Sequence, residues 1–492
     1  MTATAGAPSA RRIHWKAIIW STVEYEVRRL QLRIAKAIKL GRYAKAKALQ
    51  WLLTHSFYGK LLAVRRVTQN SGKRTPGVDG IVWKTDKQKI DAVYAIKRNG
   101  YQAEPLRRIY IPKKNGKLRA LGIPTKSDRA QQALHLLGLL PMSEVLADEN
   151  SYGFRPKRST HDAIAQCFTL LSRGFSPQWV LEGDIKACFD KISHEWLQEH
   201  IMMDKTVLKQ WLKAGYMEKD TFKFTEEGTP QGGIASPTLA NIVLDGLEKT
   251  VLDTCKSGEK VHFVRYADDF IYTASSRETL ETKVQPAIIQ FLKERGLELS
   301  LEKTKITHIK DGFDFLGFNI RKYGDKLLIK PSESSVKKFS ENLRETIQKL
   351  GNTLTTKLIS SLNSKIRGWT NYYRGCVAKD IFVDIDKVVF DAIWRMLKRK
   401  HSNKGSTWIR AKYFTKDGAR NWNFHCKVKT VKGPKLYTLI KASETKIRRH
   451  IKIRGKATPF DSDYDGYFTQ RENNLKRERI NSRIVNNSLI GA

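Results

Sequence analysis

The sequence predicts an α+β fold in which strand-rich segments occupy the middle of the chain and helical segments flank them. Its 492 residues, of which 40% are hydrophobic and 10% aromatic, suffice for about three domains with apolar cores. Apolar residues run together in short stretches between residues 107 and 329, whereas they recur at three- and four-residue spacing near both ends. This composition excludes a disordered basic tail.

Basic helical patterns open the chain. Apolar residues recur at helical spacing from Val27 to Ile38, and a second helical stretch runs through about 43–69. The other face of the first helix is cationic, and we predict RNA contacts for Arg28, Arg29, Arg33 and Lys36. The first 75 residues hold 16 basic and 2 acidic side chains, so little pairs with these cations and RNA contact is favoured over a solvated face.

The centre of the chain is predicted to hold the strands. Residues 72–80 form a turn-rich break, and residues 107–111 and 117–123 form a predicted hairpin around Asn115-Gly116. Further strands are predicted at 179–185, at 261–274 with a turn in the middle, and near 304–309, 313–320 and 326–329. Helices are predicted at 126–150, 159–173, 193–215 and 277–296, and after Pro331 up to about 401. The remainder is mixed, basic and rich in turns.

The charge is unevenly distributed. The chain carries 90 Lys and Arg against 49 Asp and Glu, for a formal net charge of +41. Residues 1–75 contribute +14, residues 331–492 contribute +21, and residues 76–330 contribute only +6. Two cationic flanks around a nearly balanced centre suit a protein that grips a polyanion while keeping a cluster of carboxylates. We therefore predict nucleic-acid binding; a generally basic, soluble surface is the alternative.

Cysteine usage and hydropathy indicate the compartment. The 5 cysteines are scattered, with no Cys-x-x-Cys pair, so neither a disulfide framework nor a cysteine-rich zinc site is predicted. No apolar run reaches the ~18 residues that span a bilayer. We expect a protein of a reducing compartment with no membrane partner.

Three carboxylates are the candidate catalytic residues. Asp184 ends an apolar strand, and the pair Asp268-Asp269 lies between two apolar strand halves. Paired carboxylates repel one another unless cations neutralise them, and Mg²⁺ prefers such oxygen ligands. With Asp184 alongside, the pair could hold two ions about 3.5–4 Å apart for an in-line displacement at phosphorus. A surface turn is the alternative, but the apolar neighbours Phe270 and Ile271 favour an inward-facing pair.

An ordered series of motifs surrounds these carboxylates. They are Asp184 with Phe189, residues 228–233 (GTPQGG) followed by Ser236-Pro237, residues 266–269 (YADD), residues 296–305 (GLELSLEKTK) and residues 315–317 (FLG). Residues 70–80 and 362–375 (LNSKIRGWTNYYRG) flank the series. With this order and spacing, the chain resembles the group II intron-encoded reverse transcriptases and maturases from about residue 11 onwards.

The resemblance implies a right-hand polymerase. It places an RNA-binding N-terminal extension at 1–75, fingers and palm at 76–330, an α-helical thumb (domain X) at 331–430 and a basic DNA-binding region at 431–492. The implied function is that of an RNA-directed DNA polymerase and maturase. It binds its intron RNA, assists splicing and copies that RNA into DNA during retrohoming by target-primed reverse transcription. The implied partners are the intron RNA, target DNA and dNTPs, and the implied cofactor is a pair of Mg²⁺ ions.

The resemblance also implies roles at the polymerase site. The metal ligands would be Asp184, Asp268, Asp269 and the backbone carbonyl of Ile185. Phe189 would lie under the incoming sugar and exclude a 2′-hydroxyl, with ordinary core packing as the alternative. The other nucleotide-binding residues would be Lys113, Arg119, Gln231 and Lys305. Alternatives stay open here: Lys114 or Lys117 for the hairpin cation, a structural turn for Gln231, and Lys303 in place of Lys305.

The flanks are expected to supply affinity for nucleic acid. In domain X, aromatic and basic residues interleave, a mixture that suits stacking and phosphate contact. The contacts predicted there are Arg367, Tyr372, Tyr373 and Arg374, with aromatic core packing as the alternative for about half of them. Residues 441–456 are rich in Lys and Arg with the single acid Glu444, and they resemble the DNA-binding region of the family, so we predict DNA contacts for Arg448 and Arg449.

One departure from many relatives concerns the end of the sequence. No cysteine follows Cys426, so we expect no HNH endonuclease domain and dependence on existing DNA ends as primers. Two rival functions are a structural splicing factor with an inactive polymerase site and a domesticated relative that serves CRISPR adaptation or phage defence. The presence of all three carboxylates and Phe189 disfavours the first rival. We expect a cytoplasmic, nucleoid-associated bacterial protein, with an organellar location as the alternative.

Overall fold

A computed structural model describes residues 14–112, 116, 118–219, 221–229, 232–417, 420–430 and 433–475. The helices are α1 Trp20–Lys39, α2 Tyr43–His55, α3 Phe57–Gln69, α4 Asp86–Ala95, α5 Lys126–Leu146, α6 Thr160–Leu171, α7 Cys188–Lys191, α8 His194–His200, α9 Lys205–Leu212, α10 Ser236–Leu244, α11 Leu247–Leu252, α12 Arg277–Thr279, α13 Gln285–Lys293, α14 Glu333–Leu350, α15 Thr355–Tyr373, α16 Lys379–Lys400 and α17 Ser406–Tyr413. A π-helical turn, Leu280–Val284, joins α12 to α13.

The strands form four sheets among the described residues. They are β1 Leu106–Pro112, β2 Leu118–Ile123, β3 Trp179–Gly183, β4 Tyr216–Glu218, β5 Thr221–Lys223, β6 His262–Tyr266, β7 Asp269–Ala274, β8 Lys305–His308, β9 Phe313–Phe315, β10 Phe318–Tyr323, β11 Lys326–Pro331, β12 Phe414–Asp417, β13 Arg420–Thr430 and β14 Gly433–Thr438. The strand orders are β2-β1-β4-β5, β6-β7-β3-β8, β11-β10-β9 and β12-β13-β14.

The N-terminal helices pack into one unit that extends past residue 75. The predicted helical stretch at 43–69 is two helices, because the hydroxyl of Ser56 accepts a hydrogen bond from the Gly59 N–H at 3.0 Å and caps α3. Ile90 and Val93 of α4 share a buried core with Val64 and Val67 of α3. A division at residue 75 therefore separates α4 from the helices on which it packs.

The sheet β6-β7-β3-β8 is covered on both faces. Adjacent strands run antiparallel, and successive residues of β3 point to opposite sides. Val180 packs in the core that continues into the thumb helices, whereas Leu181 packs in the core formed with α9, α10 and α13. Both faces are therefore apolar, and Asp184, Asp268 and Asp269 lie together at one end of the sheet.

Helices α14, α15 and α16 form the thumb and share a core with one face of the palm. Leu343, Leu362 and Phe382 are buried in that core. The β12-β13-β14 sheet follows directly, and Thr430 pairs with Gly433 across the β13–β14 hairpin. The predicted boundary after residue 430 falls inside this hairpin, whose two strands hold each other by backbone hydrogen bonds.

The segment after β14 lies against the palm and the first helix. The buried carboxylate of Asp162 in α6 accepts hydrogen bonds from the Ile453 N–H at 2.7 Å, from His450 Nε2 at 2.8 Å and from the guanidinium of Arg471 at 3.0 Å. These bonds and the Arg471 charge hold the pKa of Asp162 below its ordinary value although burial opposes them. In the described part of the chain, no helix combines the length and apolar character needed to cross a membrane.

Candidate active site

The three predicted carboxylates come from neighbouring strand ends of the palm sheet. Asp184 directly follows β3, Asp268 lies in the turn between β6 and β7, and Asp269 begins β7. Gly183 pairs with Phe270 across β3 and β7, so Asp184 and Asp269 leave the sheet side by side. The structure thus brings together the three acidic residues that the sequence singled out.

Close backbone packing fixes this corner of the sheet. A Cβ on Gly183 would lie 2.2 Å from the ring of Phe270, so a side chain at this position would have to displace that buried ring. Behind the turn, a Cβ on Gly153 would lie 2.2 Å from the backbone nitrogen of Ala267. Ala267 itself has a φ of 60°, the left-handed region that alanine rarely adopts. The turn that carries Asp268 is therefore tightly confined.

The carboxylates carry unfavourable negative charge. Loss of hydration in the cleft, together with the charges of Asp268 and Asp184, raises the pKa of Asp269 to about 6. Loss of hydration also raises the pKa of Asp268, with Asp184 adding to the rise, while Arg119 and Lys303 oppose it. Bound cations would remove this repulsion.

Lys303 supplies the nearest positive charge. Its Nζ lies 2.7 Å from Oδ2 of Asp184, and this hydrogen bond raises the pKa of Lys303. Lys305, the residue predicted to contact the nucleotide with Lys303 as the alternative, begins β8 opposite Glu182. Of the two lysines that the sequence left open, Lys303 is the one in contact with a candidate metal ligand.

The donor set fits Mg²⁺, although it is not closed around an ion. Within the described residues, no group of three or more His, Cys, Asp or Glu side chains is arranged to bind a metal ion. Lys303 forms a hydrogen bond with Asp184 instead. The three carboxylates nevertheless offer only oxygen, the donor that Mg²⁺ prefers, and their repulsion is what a divalent cation would relieve. Asp184, Asp268, Asp269 and the backbone of Ile185 are the groups that would hold it.

A buried ion pair stands behind the YADD turn. Arg265 of β6 is fully buried, and its Nη2 lies 2.5 Å from Oδ1 of Asp245, at the end of α10. Its Nη1 lies 3.4 Å from Oδ1 of Asn241 and 3.4 Å from the carbonyl oxygen of Ala267. Burial raises the pKa of Asp245 to about 7 although the Arg265 charge opposes that rise. One guanidinium thus connects a helix end to the turn.

Phe189 lies in α7, five residues after Asp184. Its ring is half-buried and stands edge-on to the ring of Phe154 with centroids 6.3 Å apart. Its carbonyl oxygen accepts a hydrogen bond from the Thr229 N–H at 2.6 Å, and the Gly228 N–H donates to Ile192 at 2.8 Å. The segment 228–229 therefore holds the backbone of Phe189 in place, and Phe154 is an aromatic neighbour of Phe189 that the sequence did not indicate.

The other predicted nucleotide contacts divide into two groups. Arg119 lies on β2 and is exposed. Its positive charge opposes the rise in the pKa of Asp268, so this cation of the fingers lies near the palm carboxylates. Lys113 and Gln231 lie outside the described residues, as do the alternatives Lys114 and Lys117. Their predicted roles stay predictions.

The predicted cations of α1 differ in their surroundings. Arg28 pairs with Asp465 at 2.5 Å, and Arg29 pairs with Glu26 one turn away at 2.8 Å. Arg33 and Lys36 are exposed. The segment of α1 that the sequence assigned to RNA therefore also docks the C-terminal part of the chain.

The predicted aromatic contacts of domain X lie mostly inside the protein. Tyr373 is 4% exposed, and its hydroxyl donates to the Gly317 carbonyl at 3.0 Å. Tyr372 is half-buried and donates to the Leu316 carbonyl at 3.0 Å. For these two rings, aromatic packing on the strand-turn at 316–317 is what the structure shows. Among the predicted cations there, Arg367 and Arg449 are exposed and Arg374 and Arg448 are half-buried.

Sequence reasoning missed Arg265, Asp245 and Phe154. The sequence did contain evidence for Arg265, because a charged residue inside the apolar run of β6 requires a buried partner. Nothing local identifies Asp245 as that partner, because 20 residues separate the two in the chain. Phe154 adopts a positive φ of 57°, which no residue type in that stretch predicts.

A palm sheet with converging acidic residues, flanked by fingers and a helical thumb, defines a template-directed nucleic-acid polymerase. Comparisons with known proteins agree. Residues 111–320 match the family described as reverse transcriptase (RNA-dependent DNA polymerase), and residues 15–96 match the N-terminal domain of reverse transcriptase. Residues 336–414 match the group II intron, maturase-specific domain.

Individual relatives point the same way. The chain is 33% identical to protein YkfC of Escherichia coli over 54% of this chain and 82% of that protein. It is 28% identical to the group II intron-encoded protein LtrA of Lactococcus lactis over 77% of this chain and 78% of that protein. A telomerase structure from Candida albicans aligns at a TM-score of 0.36 and 13% identity, over 63% of this chain and 64% of that chain, too low to carry an argument.

The chain belongs to the group II intron reverse transcriptase and maturase family. It is an RNA-directed DNA polymerase, and retrohoming and two-metal nucleotidyl transfer are typical of its family. Its relatives bear names of intron-encoded proteins and maturases, and its reverse transcriptase family uses divalent metal ions.

Proposed function

We propose that Asp184, Asp268, Asp269 and the carbonyl of Ile185 hold two Mg²⁺ ions at which dNTPs are added to a DNA 3′ end on an intron RNA template. The observation that carries the proposal is the side-by-side exit of Asp184 and Asp269 from paired strands, with Asp268 in the adjoining turn. Three carboxylates in one corner, with raised pKa values at two of them, form a site that favours divalent cations.

When bound there, the ions would activate the 3′-hydroxyl and neutralise the charge of the reacting phosphates. The protein side chains have separate tasks. The charge of Arg119 in the fingers opposes the rise in the pKa of Asp268, and this residue would contact the triphosphate, for which a planar guanidinium is suited. Lys303 must release Asp184 when an ion is bound, and its ammonium is then free to contact a phosphate. Phe189 with Phe154 forms the wall beside the sugar.

We further propose that the two cationic flanks hold nucleic acid on either side of this centre. Arg33 and Lys36 are exposed on α1, and Arg367 and Arg449 are exposed on the thumb and beyond β14. The intron RNA would be held chiefly by α1 and the thumb, and target DNA by residues 441–456. Such contacts are sequence-independent and depend steeply on salt. A protein that copies intron RNA into a DNA target would act at the bacterial nucleoid.

The proposal is tested by counting bound metal ions. The full chain is assembled with an RNA template, a DNA primer ending in a dideoxynucleotide and the matching dNTP, and Mn²⁺ binding is followed by loss of the free-ion EPR signal. We expect about two ions per complex, as two-metal sites hold. Asp268→Asn should lower that number, whereas Glu298→Gln, a surface carboxylate paired with Lys186, should not. An unchanged count in Asp268→Asn would overturn the assignment.

A further inference from the structure

Arg265 is a fully buried arginine next to the catalytic turn. It lies in β6, 2 residues before Ala267 and 3 before Asp268, and its exposed fraction is 0%. A buried guanidinium is costly unless its charge and donors have partners; among the described residues Nη1 and Nη2 have them, and Nε does not. The reason for this residue must therefore lie in what it contacts.

The side chain of Arg265 contacts both the end of α10 and the turn that carries Asp268. Nη2 bonds the carboxylate of Asp245 at 2.5 Å, just after α10, while Nη1 faces the carbonyl oxygen of Ala267 and Oδ1 of Asn241, each at 3.4 Å. Asn241 in turn donates to the Gly153 carbonyl at 2.9 Å. The guanidinium thus bridges a helix end, the segment behind the turn and the turn itself.

The turn needs such support. Ala267 is held at a φ of 60°, a left-handed conformation that is strained for any residue other than glycine. The Arg265 backbone is also fixed, since its N–H donates to the Asn150 carbonyl at 2.9 Å and its carbonyl accepts from the Tyr152 N–H at 2.8 Å. Without the bond to its carbonyl, the peptide after Ala267 could rotate toward a relaxed conformation and carry Asp268 with it.

We propose that Arg265, anchored by Asp245, is a positioning residue that holds the Ala267 carbonyl and thereby fixes Asp268 and Asp269 relative to Asp184. The inference rests on the proposed metal-binding function and extends it to residues outside the metal ligands. Arginine is suited to this task because its planar fork reaches two acceptors in fixed directions, whereas an ammonium is a compact charge without that fork. The charge of the pair is secondary to the geometry it enforces.

The test compares Arg265→Lys and Asp245→Asn with a matched control, Arg129→Lys. Arg129 is likewise buried, 5% exposed, but its guanidinium bonds the Pro124 and Thr75 carbonyls, far along the chain from the turn. All three variants should lower the melting temperature. Asp245→Asn keeps the size and one oxygen of the aspartate, so it provides a milder perturbation where Arg265→Lys folds poorly.

Two readouts separate positioning from mere stability. In the complex with a dideoxy-ended primer, Mn²⁺ affinity measured by EPR should weaken about tenfold in Arg265→Lys and in Asp245→Asn, within the 10–100-fold range seen when the partners of metal ligands are removed. The Mg²⁺ concentration for half-maximal extension should rise in parallel, while KM for dNTP at saturating Mg²⁺ stays within about twofold. Arg129→Lys should change neither.

The outcomes distinguish this inference from the proposed function. If the parent chain binds Mn²⁺ and extends primers but Arg265→Lys and Asp245→Asn match Arg129→Lys in metal affinity, the positioning role is wrong and the metal site stands. If the parent chain binds no Mn²⁺ in the complex, the metal site itself is wrong. Equal losses of metal affinity in all three variants would show that general destabilisation is the cause, and would also overturn the role.

Discussion

Lys303 and Asp184 form the one direct hydrogen bond between a cation and a candidate catalytic carboxylate that the described residues show, with Nζ 2.7 Å from Oδ2. The lysine side chain is 67% exposed and the aspartate 25%. The ammonium therefore lies on the solvent side of the carboxylate cluster, where an incoming ion would have to displace it. If Asp184 binds the ion as proposed, metal binding and release of Lys303 would be linked.

Replacing Lys303 should strengthen metal binding by the chain without nucleic acid. Exposed ion pairs are worth about 0.2–1 kcal/mol, so loss of this competitor in Lys303→Gln should tighten Mn²⁺ binding by up to about fivefold. Lys305→Gln, a change of the same charge two residues away and opposite Glu182, is the control and should have little effect. Weaker Mn²⁺ binding in Lys303→Gln would show that the lysine assists the metal rather than competing with it.

Removing the charge of Asp269 should stabilise the metal-free protein. Its pKa is raised to about 6 in the fold, above the ordinary value of about 3.9, so the ionised form is disfavoured by folding. The neutral form stabilises the fold fully below about pH 4, and that contribution is lost as pH rises through about 6. Asp269→Asn should therefore melt higher than the parent chain at neutral pH, by an amount reduced by solvent screening of this exposed residue.

The raised pKa of Asp269 also determines how the stability difference should depend on pH and on Mg²⁺. Below about pH 4 the two melting temperatures should converge, because Asp269 is then neutral in both states. At neutral pH, added Mg²⁺ should raise the melting temperature of the parent chain more than that of Asp269→Asn. A stability difference that is independent of both pH and Mg²⁺ would contradict the repulsion seen at this site.

The Mg²⁺ requirement for primer extension should depend on pH. Protons compete with the ion at Asp269, whose pKa is about 6, so half-saturating Mg²⁺ should rise by up to about tenfold for each pH unit below that value and level off above it. Extension at saturating Mg²⁺ should depend far less on pH over the same interval. A constant Mg²⁺ requirement between about pH 5 and pH 7 would show that this carboxylate does not bind the ion.

Phe189 should govern the choice between deoxyribose and ribose. Shortening the side chain in Phe189→Val opens the space beneath the sugar, and we expect the discrimination against ribonucleotides, measured as the ratio of kcat/KM values, to fall by about 10- to 100-fold. Phe154→Leu tests the neighbouring wall, since its ring faces Phe189 at 6.3 Å, and should produce a smaller loss. If Phe189→Val discriminates against ribonucleotides as well as the parent chain does, the Phe189 ring serves only for core packing.

Freeing Arg28 should steepen the salt dependence of RNA binding. Its guanidinium pairs with Asp465, so Asp465→Asn releases one cation on the helix assigned to RNA. One additional phosphate contact makes the slope of log affinity against log salt more negative by about 0.7–0.9. Glu281→Gln removes an equal charge by releasing Arg277 on the palm and serves as the control. Equal slopes for the two variants would argue against RNA contact by Arg28.

Much of the palm could be predicted because its signals are local. Alternating and continuous apolar runs located β3, β6 and β7, and the strand-turn-strand prediction at 261–274 is confirmed with Asp268 in the turn. The helix ends were less predictable. Apolar residues continue across Ser56, so the periodicity of the sequence predicted one helical stretch. In the structure, Ser56 caps α3 and separates it from α2.

What the sequence could not predict depends on pairing between distant segments. Lys303 and Lys305 lie in the same stretch, and the register that sets Lys305 opposite Glu182 leaves Lys303 beside Asp184. The sequence alone does not show whether Tyr373 faces the core or the solvent. Its burial follows from the packing of α15 against the turn at 316–317. The anchoring of Arg265 by Asp245 is likewise a consequence of the assembled fold.

The central claim is that the three palm carboxylates perform RNA-directed DNA synthesis. The most direct measurement is single-turnover dNTP incorporation on an RNA template by the parent chain and by Asp184→Asn, Asp268→Asn and Asp269→Asn, each shown by melting to be folded. We predict Mg²⁺-dependent incorporation by the parent chain and a loss of about a thousandfold in each variant. Incorporation by any of the three within about tenfold of the parent rate would contradict the assignment.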